Sequence, residues 1–259
     1  MPDPTGGLAA ALFGEVTFLQ YLVVLAVAVA ASIVGGLAGY GPGLLLPLVL
    51  VPIIGAEATV PVVGMSAFFT NASRLWVFRA NLNLRAAAIV AAASTPGCLL
   101  GAWGYAQLHG RGAAIVIGTM LIVMVPVRRA MKRLDVRLSE GGMAAAGAGY
   151  GVLVGGTAGS GVVLLSIMMA AGLSGPAVIA TDCAITLVTS LVKTAMFQAT
   201  GAMPPSSWAM ALLIGLATTP GAFVARWLVR RFSAGFHTAI LEAAIIAGGT
   251  ILVVRGIIG

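Results

Sequence analysis

Charge is what this sequence has least of. Asp, Glu, Lys and Arg make up 8% of its 259 residues, with seven acids against fourteen Lys and Arg, whereas soluble domains carry about 25%. With 60% hydrophobic residues and a mean hydropathy of +1.08, the chain holds more apolar sequence than a water-soluble core can bury, which excludes a soluble enzyme. Cysteine is equally scarce. Cys98 and Cys183 fall within apolar runs without paired spacing, so they imply neither a disulfide framework nor a metal site and read as small core residues. No Lys or Arg precedes the first apolar run, only Asp3 and Glu15. The basic start of a secretory signal is therefore missing, and the first span is expected to be retained. No segment that can be placed at one depth offers a nucleophile with its base, a metal-ligand cluster or a carboxylate pair, so neither catalysis nor a cofactor is expected.

What the chain does have is apolar runs of membrane-spanning length. Stretches such as Phe18–Ala38, Arg85–Leu108 and Phe236–Val254 match the roughly 20 residues that cross a hydrocarbon core as helix. Helices follow because lipid offers the backbone no hydrogen-bond partners, and a β-barrel would show short alternating segments instead. The expected fold is an all-α integral membrane protein of about eight transmembrane helices, near 16–38, 57–78, 85–108, 112–128, 141–160, 176–199, 206–231 and 236–257. Two apolar pieces, 44–54 and 162–171, are too short to cross alone. Each follows a glycine cluster and reads as a half-helix continuing a broken span. The net charge of +7 does not point to nucleic acid, because five of the fourteen cations (Arg128, Arg129, Lys132, Arg133 and Arg137) crowd one connector, as the positive-inside rule expects of a cytoplasmic loop.

The chain also repeats itself. Residues 34–45 laid over 154–165 match Val34, Gly35, Gly36, Ala38, Gly39, Gly41, Leu44 and Leu45 with Val154, Gly155, Gly156, Ala158, Gly159, Gly161, Leu164 and Leu165. Shared composition would give about one or two matches. Ala93-Ser94-Thr95-Pro96-Gly97 likewise lies over Ala217-Thr218-Thr219-Pro220-Gly221, with Trp103 and Trp227 six residues beyond each glycine. The expected organisation is an N-terminal tail (1–15), a first transmembrane repeat (16–127), a basic loop (128–140) and a second repeat (141–259). An even number of crossings per half would leave the halves parallel and an odd number would invert them. With four each, Arg79, Arg85 and the basic loop share one side, and Arg230 and Arg231 fall on the other.

Two constellations carry chemical interest. The glycine clusters, 35–43 and 155–161, permit unwound backbone at membrane depth, where N–H groups and a half-helix N-terminus can face an anion; close helix packing is the competing role. One span later stand two polar stripes. Ser66, Thr70, Ser73 and Arg74 share one helical face, as do Asp182, Thr186, Thr189, Ser190 and Lys193. Intramembrane ionisable groups are costly and face partners, cavities or pathways. Asp182 and Glu242 are the acids well inside spans and are candidates to carry a coupling proton, with hydrogen-bonded structural carboxyls as the alternative. Arg74 has snorkelling to the interface as its competing role.

The glycine cluster leading into Leu44-Leu45-Leu46-Pro47, the connector Arg79-Ala80-Asn81-Leu82-Asn83-Leu84-Arg85, and the Thr95-Pro96-Gly97 and Thr219-Pro220-Gly221 blocks together resemble the sulfite exporter TauE/SafE family of membrane permeases. The resemblance runs from about 17 to 258, with Pro42 standing where that family usually has a further glycine. It implies secondary transport of small anions, often sulfur oxyanions, sulfonates or related organic acids, across a bacterial inner membrane through a duplicated bundle. The residues expected to hold the anion are Gly39, Gly41, Gly43, Gly159, Gly161, Ser66, Thr70, Asn71, Arg74, Thr186, Thr189, Ser190 and Lys193, with Asp182 or Glu242 coupling H⁺ or Na⁺. Small-residue faces would also suit a homodimer. The rival readings are a metal or other cation transporter, which should bring several carboxylates or thiolates to one depth, and a non-transporting membrane assembly subunit held by glycine packing alone.

Overall fold

The computed structural model describes residues 16–38, 42–131, 137–228 and 234–258, and these are helical with no strand among them. In chain order the helices are α1 (Phe18–Ala38), α2 (Pro42–Phe78), a 3₁₀ turn (Arg79–Asn81), α3 (Leu84–Ala106), α4 (Gly110–Met131), α5 (Glu140–Gly156), α6 (Gly161–Ala170), α7 (Pro176–Ala199), α8 (Pro205–Leu228) and α9 (Ala234–Ile258). Among the described residues, four stretches are long and apolar enough to cross a membrane by length and composition: Pro42–Asn81, Leu84–Ala106, Gly110–Val127 and Pro176–Ala199. Large apolar side chains such as Phe18, Leu100, Leu216 and Ile251 stand exposed on the outer faces, as lipid-facing residues do.

Local sequence explains the boundaries. Asn83 caps α3 by accepting the Ala86 N–H at 3.0 Å, and Ser139 caps α5 by accepting that of Gly142 at 3.3 Å. Pro176 opens α7 at its first turn, where its missing N–H costs nothing. Within α2, Gly55 leaves helical geometry at φ 80°, ψ 162°, conformations open to glycine. The expected separate piece 44–54 is therefore the first arm of one kinked helix.

Contacts sort the helix termini into two ends of the bundle. At one end Arg85 pairs with Glu140 at 2.7 Å, the Asn83 N–H donates to Thr181 Oγ1 at 3.2 Å, and the Leu138 N–H donates to the Ala170 carbonyl at 2.8 Å. At the other, the Gly110 N–H donates to Glu57 Oε1, the Tyr105 hydroxyl donates to the Ala56 carbonyl and its ring meets Phe197 edge-on. There too Trp208 Nε1 donates to Gln198 Oε1 at 2.9 Å.

The Leu138–Ala170 bond corrects an expectation. Piece 162–171 does not continue the span before it; α6 doubles back and returns the chain to the end where α5 began. α8 starts at the opposite end, beside Gln198, and runs toward the end that holds Arg85. Arg230 and Arg231, expected on the side away from Arg85, follow this helix and lie outside the described residues.

The helices pair as α3 with α5, α1 with α8, α4 with α9 and α2 with α7. Missing side chains set the α3–α5 seam. A Cβ on Gly151 would collide with the Ser94 carbonyl, one on Gly155 with the Cys98 carbonyl, and one on Gly101 with the Val152 carbonyl. Small residues at this spacing let membrane helices touch backbone to backbone. Contacts advance together along both helices, so α3 and α5 run parallel. Gly118 and Gly249 meet reciprocally across α4 and α9, each a Cβ's width from the other's carbonyl.

Candidate functional site

The start of α2 and the glycine-rich turn between α5 and α6 meet inside the bundle. A Cβ on Gly43 would lie 2.9 Å from the Gly159 nitrogen, so the start of α2 and the α5–α6 turn touch through bare backbone. Gly159 holds φ +85° and packs on Leu44 and the Gly43 carbonyl, a position no L side chain fills without strain. Pro42 and Gly161 open α2 and α6. The first N–H groups of each helix lack intrahelical acceptors and carry the positive end of the helix dipole, so two such termini approach one region. Ser160 at the second is 2% exposed and makes no capping bond. Gly161 itself is exposed, with nothing within 4 Å of its would-be Cβ. Gly39 and Gly41 lie outside the described residues.

Beneath this turn lies Lys193 of α7, 5% exposed. Its Nζ donates to the Val154 carbonyl at 3.2 Å, among the last acceptors of α5, where the helix dipole is negative. The neighbouring Leu153 carbonyl accepts from Thr157 Oγ1. The lysine stem lies across Gly64 of α2, whose missing side chain makes the room. Thr189 and Ser190 are buried beside it. Thr189 Oγ1 donates to the Thr186 carbonyl at 3.3 Å, and Cys98 Sγ donates to the Thr189 carbonyl at 3.5 Å.

The stripe on α2 shares a face as its periodicity expects, but its hydroxyls turn largely onto their own helix. Ser66 Oγ donates to the Val63 carbonyl at 3.0 Å, Thr70 Oγ1 to the Ser66 carbonyl at 3.0 Å, Ser73 Oγ to the Thr70 carbonyl at 2.8 Å and Asn71 Nδ2 to the Ala67 carbonyl at 2.8 Å. Thr70 also meets Thr218 Oγ1 at 2.6 Å, tying α2 to α8. Arg74 is half-buried.

Arg74 and Lys193 do not face one another. Arg74 is the cation whose charge acts on Asp182, eleven residues, or about 16 Å of helix, from Lys193 along α7. Asp182 Oδ1 is buried without a hydrogen-bond partner. Nearby stands a residue the sequence did not single out: Tyr150 of α5, 2% exposed, whose hydroxyl lies close to Ser160 and Thr186. Its signal in the sequence was a lone aromatic in the Gly/Ala-rich run Glu140–Gly156. The side chain of Glu242 lies outside the described residues. Among those residues no three His, Cys, Asp or Glu gather as a metal site.

Helices with spanning apolar stretches and exposed apolar outer faces define a polytopic membrane protein. The model of the sulfite exporter TauE/SafE family matches residues 24–252, nearly the whole chain, and the protein belongs to that family. No curated protein and no solved structure matches it. That family is one of membrane permeases rather than enzymes, associated with sulfite-type anions.

Proposed function

We propose that this protein is a secondary transporter of a small sulfur oxyanion, sulfonate or related carboxylate, bound where the α2 and α6 N-termini converge. The approach of Gly43 to Gly159 carries this reading: it sets two dipole-positive backbone termini against each other, with a buried ammonium close to the turn. Ser160, Thr186 and Tyr150 supply hydroxyls to orient an oxyanion, and Lys193 can exchange the Val154 carbonyl for the anion. Asp182, whose buried Oδ1 has no hydrogen-bond partner, is the group we assign to coupling.

The halves are read as inverted repeats. Ser94 and Thr218, in register in the two repeats, donate to Ala91 and Gly215 at 3.1 and 3.0 Å, and Thr95 and Thr219 donate to the same two carbonyls at 2.8 and 2.9 Å. The Ser94 carbonyl faces Gly151 of α5, and the Thr218 carbonyl accepts from Ser32 of α1 at 2.7 Å. Each half thus lays its first helix against the helix of the other that carries the Thr-Pro-Gly block, α5 against α3 and α1 against α8. In this arrangement α1 and the first arm of α2 form a return like that of α5 and α6. Each half then makes an odd net number of crossings, and the end bearing Arg79, Arg85 and Arg137 faces the cytoplasm.

Purified protein in detergent, heated with sulfite, sulfate, thiosulfate, sulfonates and short carboxylates, tests the site. A ligand of the folded state raises apparent stability with concentration. Selective stabilisation by one anion, lost in Lys193→Ala, is expected. Equal response to every anion, or an unchanged response in Lys193→Ala, would sink the assignment.

A further inference from the structure

Two opposite charges of the bundle share a depth without closing a bond. Gly64 of α2 meets the Lys193 stem of α7. From that level α2 runs ten residues on to Arg74 and α7 runs eleven back to Asp182, about 15–16 Å of helix in each case. Both runs lead to the Arg85 end, because α2 finishes at the turn before Asn83 and α7 begins where the Asn83 N–H donates to Thr181 Oγ1 at 3.2 Å. Arg74 and Asp182 thus stand level on paired helices, and the arginine's charge acts on the carboxyl. Among the described residues, however, the ion pair that closes is Arg85 with Glu140. Arg74, half-buried, makes no hydrogen bond there, and Asp182 Oδ1 is buried without a donor. The other groups that feel the Asp182 charge are Tyr150 of α5 and Cys183 of α7 itself. α6 carries no titratable side chain, Arg79 stacks on Trp76, and Arg85 of α3 is held by Glu140.

We propose that Arg74 and Asp182 form a second anion subsite, between Lys193 and the Arg85 end, that takes up an oxyanion together with one proton. While Asp182 is ionised, its charge compensates Arg74 and repels an incoming anion. A proton on Oδ1 turns the carboxyl from acceptor to donor. The guanidinium fork is then released to pair with two oxyanion oxygens, and the Oδ1–H donates to a third. Anion and proton bind cooperatively, each strengthening the other by the same factor. Lys193 rests instead on a neutral acceptor, the Val154 carbonyl, so the proton requirement belongs to the Arg74 subsite alone. The inference rests on the transport reading and deepens it: the anion held near the glycine turn meets Arg74 on its way to the Arg85 end, and the ion that accompanies it is H⁺.

Isothermal titration of the purified full-length protein at about pH 8 and about pH 5, with methanesulfonate and thiosulfate, whose own charge is constant over that range, separates the two subsites. At the alkaline pH one binding event is expected, lost in Lys193→Ala. At the acidic pH a second should appear, at least tenfold tighter than any at the alkaline pH beyond the first, with about one proton taken up per second anion in weakly buffered solution. Arg74→Gln should remove the second event and keep the first. Asp182→Asn, whose carboxamide is neutral and donates, should show both events at both pH values without proton uptake. A wild-type titration that does not change with pH, a second event that survives Arg74→Gln, or proton uptake that survives Asp182→Asn would each overturn the subsite while leaving the Lys193 site standing. No binding at either pH would sink the transport reading and the subsite with it.

Discussion

Lys193 and Gly64 form a matched pair whose test separates a packing role from a binding one. Alanine at Gly64 would collide with the lysine stem, and overpacking of this kind costs about 1–3 kcal/mol. Gly64→Ala should therefore lower the melting temperature, and Lys193→Ala in the same chain should restore it in part, because contacting sites are not additive. Lys193→Ala alone should abolish anion transport in proteoliposomes; normal uptake would leave the lysine as a cap on α5 and nothing more. For Asp182→Asn we expect loss of gradient-driven transport with anion exchange retained, and loss of both would reassign the residue to folding or binding. The stripe that includes Asp182 and Lys193 was legible because a period of 3.6 reports which residues share a face. Periodicity does not report bonds: nothing in the spacing announced that Ser66 and Thr70 satisfy their own helix or that Lys193 reaches Val154. Tyr150 escaped because an isolated aromatic in an apolar run is indistinguishable from a lipid anchor or a core residue until its helix is placed.

Among the helices, the glycines divide into those that bear contacts and those that do not. Gly151→Ala on α5 would drive a methyl into the Ser94 carbonyl, whereas Gly149→Ala on the same helix meets nothing. The first should destabilise by about 1–3 kcal/mol or prevent folding, and the second should be neutral or stabilise by up to about 1 kcal/mol through backbone entropy. Similar melting temperatures for the two would show that the α3–α5 seam is looser than its geometry. Gly159→Ala, with a positive φ, should likewise lower stability far more than Gly161→Ala. Most helix boundaries were visible in hydropathy. The return of α6 was not, since apolarity records depth in a bilayer and is silent about direction. A ten-residue piece after a glycine cluster fits a continuation and a return equally well, and only the Leu138–Ala170 bond distinguishes them.

For the molecule as a whole, the inverted reading makes a topological claim that charge counting left open. Single cysteines placed at Ser174 and Glu140 should react with an impermeant maleimide from one side of sealed vesicles, and cysteines at Gly201 and Arg111 from the other, in a background with Cys98 and Cys183 replaced. Labelling of Ser174 and Gly201 from the same face would refute the arrangement. The pairing of α1 with α8 also bears on how the protein is made. Ser32 finds the Thr218 carbonyl 186 residues later in the chain, and at about 5–20 residues per second a ribosome needs roughly 10–40 s to deliver it. Throughout that interval α1 has α2 beside it but lacks α8, its main partner. Slowing synthesis between the two helices should lengthen the window in which α1 lacks its α8 partner, read as greater loss of nascent protein to degradation.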